Sequence, residues 1–133
     1  MCLITNDPTV KVANRDMTFW KVIRMQEGGS YRTPFMDVYV RPNALYVESV
    51  EPTDFKMWSC KDEDGVSYYH VENYAYHMLK TFLGALRLKK SFLYQRGLRV
   101  VRAVVPKGTL YVEGEYDGIK SIAAKKVMYK FKE

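Results

Sequence analysis

Residues 98–113 read LRVVRAVVPKGTLYVE, and the fold class turns on how that stretch is parsed. Residues 98–105 are a nearly continuous apolar run rich in Val and interrupted only by Arg99 and Arg102, and such a run bounded by turn residues predicts a strand. Pro106, Lys107, Gly108 and Thr109 supply the turn, and residues 110–113 resume as a second strand. Toward the C-terminal side, Val127, Tyr129 and Phe131 alternate with Lys126, Met128, Lys130 and Lys132. That period of two predicts a strand with one face in the core and one in solvent. Between these strands, Glu113, Gly114, Glu115, Tyr116, Asp117 and Gly118 read as an acidic turn. Were the strand to persist that far, Glu113 and Glu115 would share one face and suit acid/base work or a ribose hydroxyl.

Upstream, Ala75, Met78, Leu79, Phe82, Leu83 and Leu86 recur at intervals of three and four, which predicts a helix over residues 73–91 with Asn73 as its N-cap. His77, Lys80, Gly84 and Arg87 lie on its opposite, basic stripe. Residues 57–61 and 66–71 flank Asp62, Glu63, Asp64 and Gly65, a hairpin signal in which Asp-Gly supplies the positive φ of a tight turn. Residues 17–25, MTFWKVIRM, predict a central strand that stops at residues 27–29. The YRTP segment at 31–34 leads a short extended piece through Val40, closed by Arg41, Pro42 and Asn43. Residues 44–50 read as a further strand or an irregular edge, with Pro52 against regular continuation. Residues 1–16 read as a loose lead-in. The order predicts α+β: a mainly antiparallel or mixed twisted sheet with one principal amphipathic helix packed on it. Without a repeat, low-complexity tract or linker, residues 1–133 form a single domain.

Composition narrows the partners. With 47% hydrophobic and 27% charged residues the chain is globular, neither disordered nor membrane-spanning. Cys2 and Cys60 have no Cys or His at zinc-like spacing and read as reduced thiols. No signal-like start or apolar stretch of about 20 residues occurs, so the expected location is cytoplasmic, with no membrane partner. Residues 1–66 carry eight Lys/Arg against ten Asp/Glu, and residues 67–133 thirteen against five. The net charge of +6 therefore belongs to the second half, and points to an anionic partner, with plain solvation as the competing account.

The catalytic inventory is thin. His70 and His77 are the only near-neutral acid/base groups, and P-loop, G-x-G-x-x-G, G-x-S-x-G and His-Glu-x-x-His motifs are absent. Neither a cofactor nor a metal is expected. Aromatic and basic residues interleave at Tyr68, Tyr69, His70, Tyr74, Tyr76 and His77, then Lys80, Arg87, Lys89 and Lys90. Rings beside cations are what nucleotides and single strands exploit, although Tyr rings also anchor sheet and helix with their hydroxyls in water. Arg32 and Arg24, in or beside strands, suit bidentate capture of phosphate or carboxylate, with an ordinary ion pair as the alternative. The expected ligand contacts are Arg32, Tyr68, His70, Lys80 and Arg87, the cations neutralising phosphate and the Tyr stacking on a base.

Phe19-Trp20-Lys21-Val22, Tyr31-Arg32-Thr33-Pro34-Phe35, residues 65–70 before a helix, and Val104 to Tyr111 followed by Gly114 together resemble a group of short uncharacterised proteins of gut bacteria and their phages. That resemblance spans most of the chain from Thr18 and implies an accessory protein of a phage or mobile element, with no activity attached. More distantly, an aromatic-Arg strand, a hairpin leading into a helix and a later Pro-x-Gly turn resemble the layout of small ADP-ribosyltransferase-like domains. Their catalytic Glu would fall near residues 119–124, where no carboxylate stands, leaving Glu113 or Glu115 to substitute. The expected function is a non-enzymatic binding protein for an anionic, nucleotide-like ligand. Nucleic-acid binding, an ADP-ribosyltransferase-like enzyme and an interaction module without a ligand site are the alternatives, and a homo-oligomer stays open.

Overall fold

A computed structural model of the chain describes residues 3–26, 30–33, 39–48, 55–71, 75–92 and 96–131. The expected turn at residues 27–29, Pro34, Pro52, the Asn73 cap, Cys2 and Tyr74 lie outside them. The N-terminal strands are β1 (Leu3–Thr5), β2 (Lys11–Val12), β3 (Met17–Met25), β4 (Tyr31–Arg32), β5 (Tyr39–Val40) and β6 (Leu45–Val47). Next come the hairpin strands β7 (Met57–Lys61) and β8 (Ser67–Val71), β9 (Tyr76–Leu79), and the helix α1 (Phe82–Ser91). The last third holds β10 (Leu98–Val105), β11 (Leu110–Tyr116), β12 (Ile119–Ala124) and β13 (Lys126–Lys130). All described pairings are antiparallel, in the order β6-β13-β10-β3-β9-β12-β11-β1-β8-β7. Among the described residues the molecule is thus mostly antiparallel sheet with one helix, and sheet dominates more than the sequence pattern suggests.

The sheet is apolar on both sides at its centre. Phe19 and Ile23 of β3 enter an inner cluster with Val101, Ala103, Ile122 and Tyr129, and Val22 of the same strand joins Leu79, Leu98 and Ile119 beneath α1. Because the inner cluster draws residues from strands as distant as β13 and β11, the sheet curls around it. Ile23, Met78 and Ile122 are fully enclosed there, each worth about 1.5–3 kcal/mol of burial. Strands β3 and β10 pair along the whole of β10, from Leu98↔Arg24 to Val105↔Met17.

Three expectations need correction. Residues 76–79 are strand, not the start of the helix. Their spacing fits a helical face, but Met78 goes to the inner cluster and Leu79 to the cluster under α1, the alternation that pairing with β12 imposes. The helix begins only where Thr81 caps it, its hydroxyl accepting the Gly84 N–H at 2.9 Å, so Leu83, expected in the core, stands 76% exposed. Residues 113–118 are mostly strand. Asp117 and Gly118, with φ of 49° and 76°, make a two-residue hairpin turn between Tyr116 and Ile119, and Glu113 and Glu115 lie on β11. The lead-in is stitched rather than loose: β1 joins β8 to β11 with Leu3 fully buried, β2 pairs with β11, and the Asp16 carboxylate accepts the Lys107 N–H at 2.8 Å.

The hairpin forms as expected, but residues 62–66 make a five-residue connection in which Gly65, not Asp64, takes positive φ (78°), and the Asp62 carboxylate accepts the N–H groups of Asp64 and Val66, both at 2.9 Å. Edge strand β6 also falls where residues 44–50 suggested. Among the described residues no helix is long and apolar enough to cross a membrane.

Candidate functional site

Strand β13 ends sooner than its neighbour. It pairs with β10 from Arg102↔Lys130 to Val104↔Met128, whereas β10 continues back to Leu98 beside β3. Beside the stretch of β10 that no described strand covers on this side lies a hollow of about 720 Å³, lined by residues of both sheet faces. Arg99 and Arg102, three residues apart and on opposite strand faces, both line it.

Aromatic pairs form its walls. On the helix side Trp20 of β3 meets Phe82 of α1 edge to face, with ring centres 5.0 Å apart. On the inner side Tyr31 of β4 meets Phe131 in the same manner at 4.4 Å. Cations complete the lining. Phe82, Leu86 and Lys89 recur on one helical stripe, which places Lys89 in the lining. Across the sheet, Trp20, Arg102 and Lys130 stand in one row as successive cross-strand partners. Two cations directly opposite each other repel and cost stability. Neither they nor Arg99 and Lys89 form an ion pair among the described residues, and no described carboxylate lines the hollow. The volume lies in the range of small-molecule sites, and rings framed by like charge suit a planar anion.

The five residues expected from sequence do not gather here. Tyr68 and His70 stand side by side on β8, ring centres 5.4 Å apart, with four strands between β8 and β3. Lys80 holds Glu113 at 3.1 Å, and Arg87 is exposed on α1 outside the cleft lining. Arg32 is adjacent in chain to Tyr31 of the lining, its guanidinium stacked 3.8 Å from the centre of the Tyr39 ring. The missed signal was the pair of arginines in the apolar run of β10. A guanidinium within a central strand needs a reason, and the early end of β13 provides it.

The two charged groups singled out by their environment lie elsewhere. Glu113 sits between Lys11 at 3.0 Å and Lys80 at 3.1 Å. The Lys11 hydrogen bond, aided by that of Lys80 and by both charges, holds the carboxyl below its usual range despite partial burial. That occupies the carboxylate as a clamp between β2, β11 and the segment after β9. Lys21, on the inner face of β3, donates to the His77 carbonyl at 2.7 Å, across a seam where β3 and β9 share only the Trp20↔Leu79 pair. Burial pushes its ammonium down to about 8 from 10.5. Between those values the unfolded chain holds a proton that the fold has shed, so unfolding free energy rises with pH across the window, by about 3 kcal/mol in all. Burial moves the Tyr129 phenol the other way, above its ordinary 10, so stability falls beyond about pH 10. Urea midpoints are therefore expected to climb from pH 7.5 to near 10 and then drop, and Lys21→Met is expected to flatten the rising limb. No group of three or more metal-ligating side chains occurs among the described residues.

Comparison with family models, with curated proteins and with solved structures finds no match.

Proposed function

We propose that this chain is a binding protein for an anionic ligand with a planar ring, nucleotide-like in chemistry, seated in the cleft between α1, the open edge of β10 and the end of β13. The row of Trp20, Arg102 and Lys130, joined by Lys89 and Arg99 and facing no described carboxylate, carries the proposal. An anion between Arg102 and Lys130 turns a repulsive cross-strand pair into two charge-assisted hydrogen bonds. A ring beside Trp20 gains stacking area, and guanidinium groups grip phosphate by two parallel bonds where Lys acts as a point charge. The described lining is rings, aliphatic side chains and cations, the set that holds an anion by charge and stacking.

Trp20 and Trp58 are the two tryptophans, and Trp58 lies on β7 at the far end of the sheet order. A Trp58→Phe variant thus leaves Trp20 as the reporter. Titration with ATP, GMP and cyclic nucleotides is expected to quench its fluorescence, and about 100 Kd of ligand stabilises by about 2.7 kcal/mol, a melting shift on the order of 10 °C. If no nucleotide in the panel moves either signal, the assignment fails.

A further inference from the structure

A second hollow of about 550 Å³ adjoins the cleft, and Tyr31 lines both. The β4–β5 pairing builds it, with Tyr31 opposite Val40 and Arg32 opposite Tyr39, and Arg41 and Pro42 at its rim. Tyr39 is 60% exposed. Arg32 lies against its ring, with the guanidinium 3.8 Å from the ring centre, which stiffens the ring. The Arg41 backbone is fixed by its N–H bond to the Tyr46 hydroxyl at 2.7 Å, while its side chain makes no ion pair among the described residues. No described carboxylate lines this hollow either.

One nucleotide needs one such compartment. Here ring and cation recur: Trp20 with Arg102 and Lys130, then the Tyr31–Phe131 pair with Arg99, then Tyr39 with Arg41. Alternating stacking platforms and backbone-neutralising charges are the means by which proteins follow a single strand, whose unstacked bases expose their faces. A duplex keeps its bases stacked and offers none to half-buried rings. We infer that the ligand is a single-stranded nucleic acid, entering at the Trp20 cleft and crossing Tyr31 into the Tyr39 hollow. The inference rests on the cleft being a nucleotide site.

The test is fluorescence anisotropy with labelled oligo-dT and oligo-U of about ten nucleotides, within the ~4–16 typical of single-strand sites, competed by dTMP and by short oligo-dT of increasing length. Affinity is expected to rise about tenfold or more from dTMP to a tetranucleotide for at least one sugar type. It should also fall with salt at a log–log slope of about −3, from roughly four phosphates at about −0.7 each. Tyr39→Ala combined with Arg41→Ala is expected to cost the oligomer about tenfold while leaving dTMP affinity and the melting temperature unchanged. Binding of dTMP without any gain from chain length overturns the inference and leaves the nucleotide site standing, as does an oligomer indifferent to the double substitution. Absence of binding by both monomer and oligomers overturns the two together.

Discussion

Gly114→Val is expected to lower the free energy of unfolding by about 3–5 kcal/mol, at the upper end of what single substitutions do. Gly114 lies in mid-strand on β11, where β1 crosses so closely that a Cβ would press into the Ile4 carbonyl and come within 2.6 Å of Leu3 Cδ2. Backbone cannot yield there, because Ile4 pairs with Glu115 on one side and with His70 on the other, and Leu3 is fully buried. Strand β1 is the sole strand joining the β7–β8 hairpin to the rest of the described sheet, so displacing it weakens that attachment. Urea unfolding should show the loss, and amide exchange should show it concentrated in β8 and β1 while β3 and β10 keep their protection. Gly118→Ala is the contrasting case. Its φ is 76° but a Cβ meets nothing within 4 Å, so strain alone applies, about 1 kcal/mol.

Much of this architecture was legible, and what escaped has a common cause. Strands β3 and β10 are mainly apolar over nine and eight residues, long enough that composition marks both as strands, although their pairing with each other is a long-range matter. The Asp62 to Gly65 turn carries its own geometry in its side chains. Residues 76–79 do not: Tyr-His-Met-Leu fits either period, and β12, more than 40 residues later, decides for strand. Leu3 to Thr5 is too short to show any period and owes its extension to the two strands it joins. The site escaped in the same way. Arg99 and Arg102 were visible as breaks in an apolar run, but that they line one cleft with Trp20 and Lys130 follows from the pairing of β10 with β3 and β13. Arg32, Tyr68 and His70 were chosen on side-chain chemistry, and the insertion of β9, β12, β11 and β1 between their strands is a matter of long-range pairing.

Charge reversal in the cleft separates binding from folding by sign. Arg99→Glu with Arg102→Glu is expected to weaken nucleotide binding by about 100-fold or more, since each charge-assisted hydrogen bond to phosphate contributes about 1.5–3 kcal/mol and two carboxylates then repel the ligand. Stability should move the opposite way. A glutamate at position 102 faces Lys130 directly, replacing cross-strand repulsion by attraction worth about 0.2–1 kcal/mol. A melting temperature equal to or above that of the parent, together with lost affinity, excludes misfolding as the cause. The matched control is Lys61→Glu with Lys107→Glu, the same change in net charge at the 62–65 hairpin and the 106–109 turn, neither of which lines the cleft. If binding depends on the cleft, that pair costs no more than about threefold at physiological salt, because charges beyond a Debye length of about 8 Å are largely screened. An equal loss from both pairs would mean that the diffuse positive charge of the chain, rather than the row of Trp20, Arg102 and Lys130, attracts the anion.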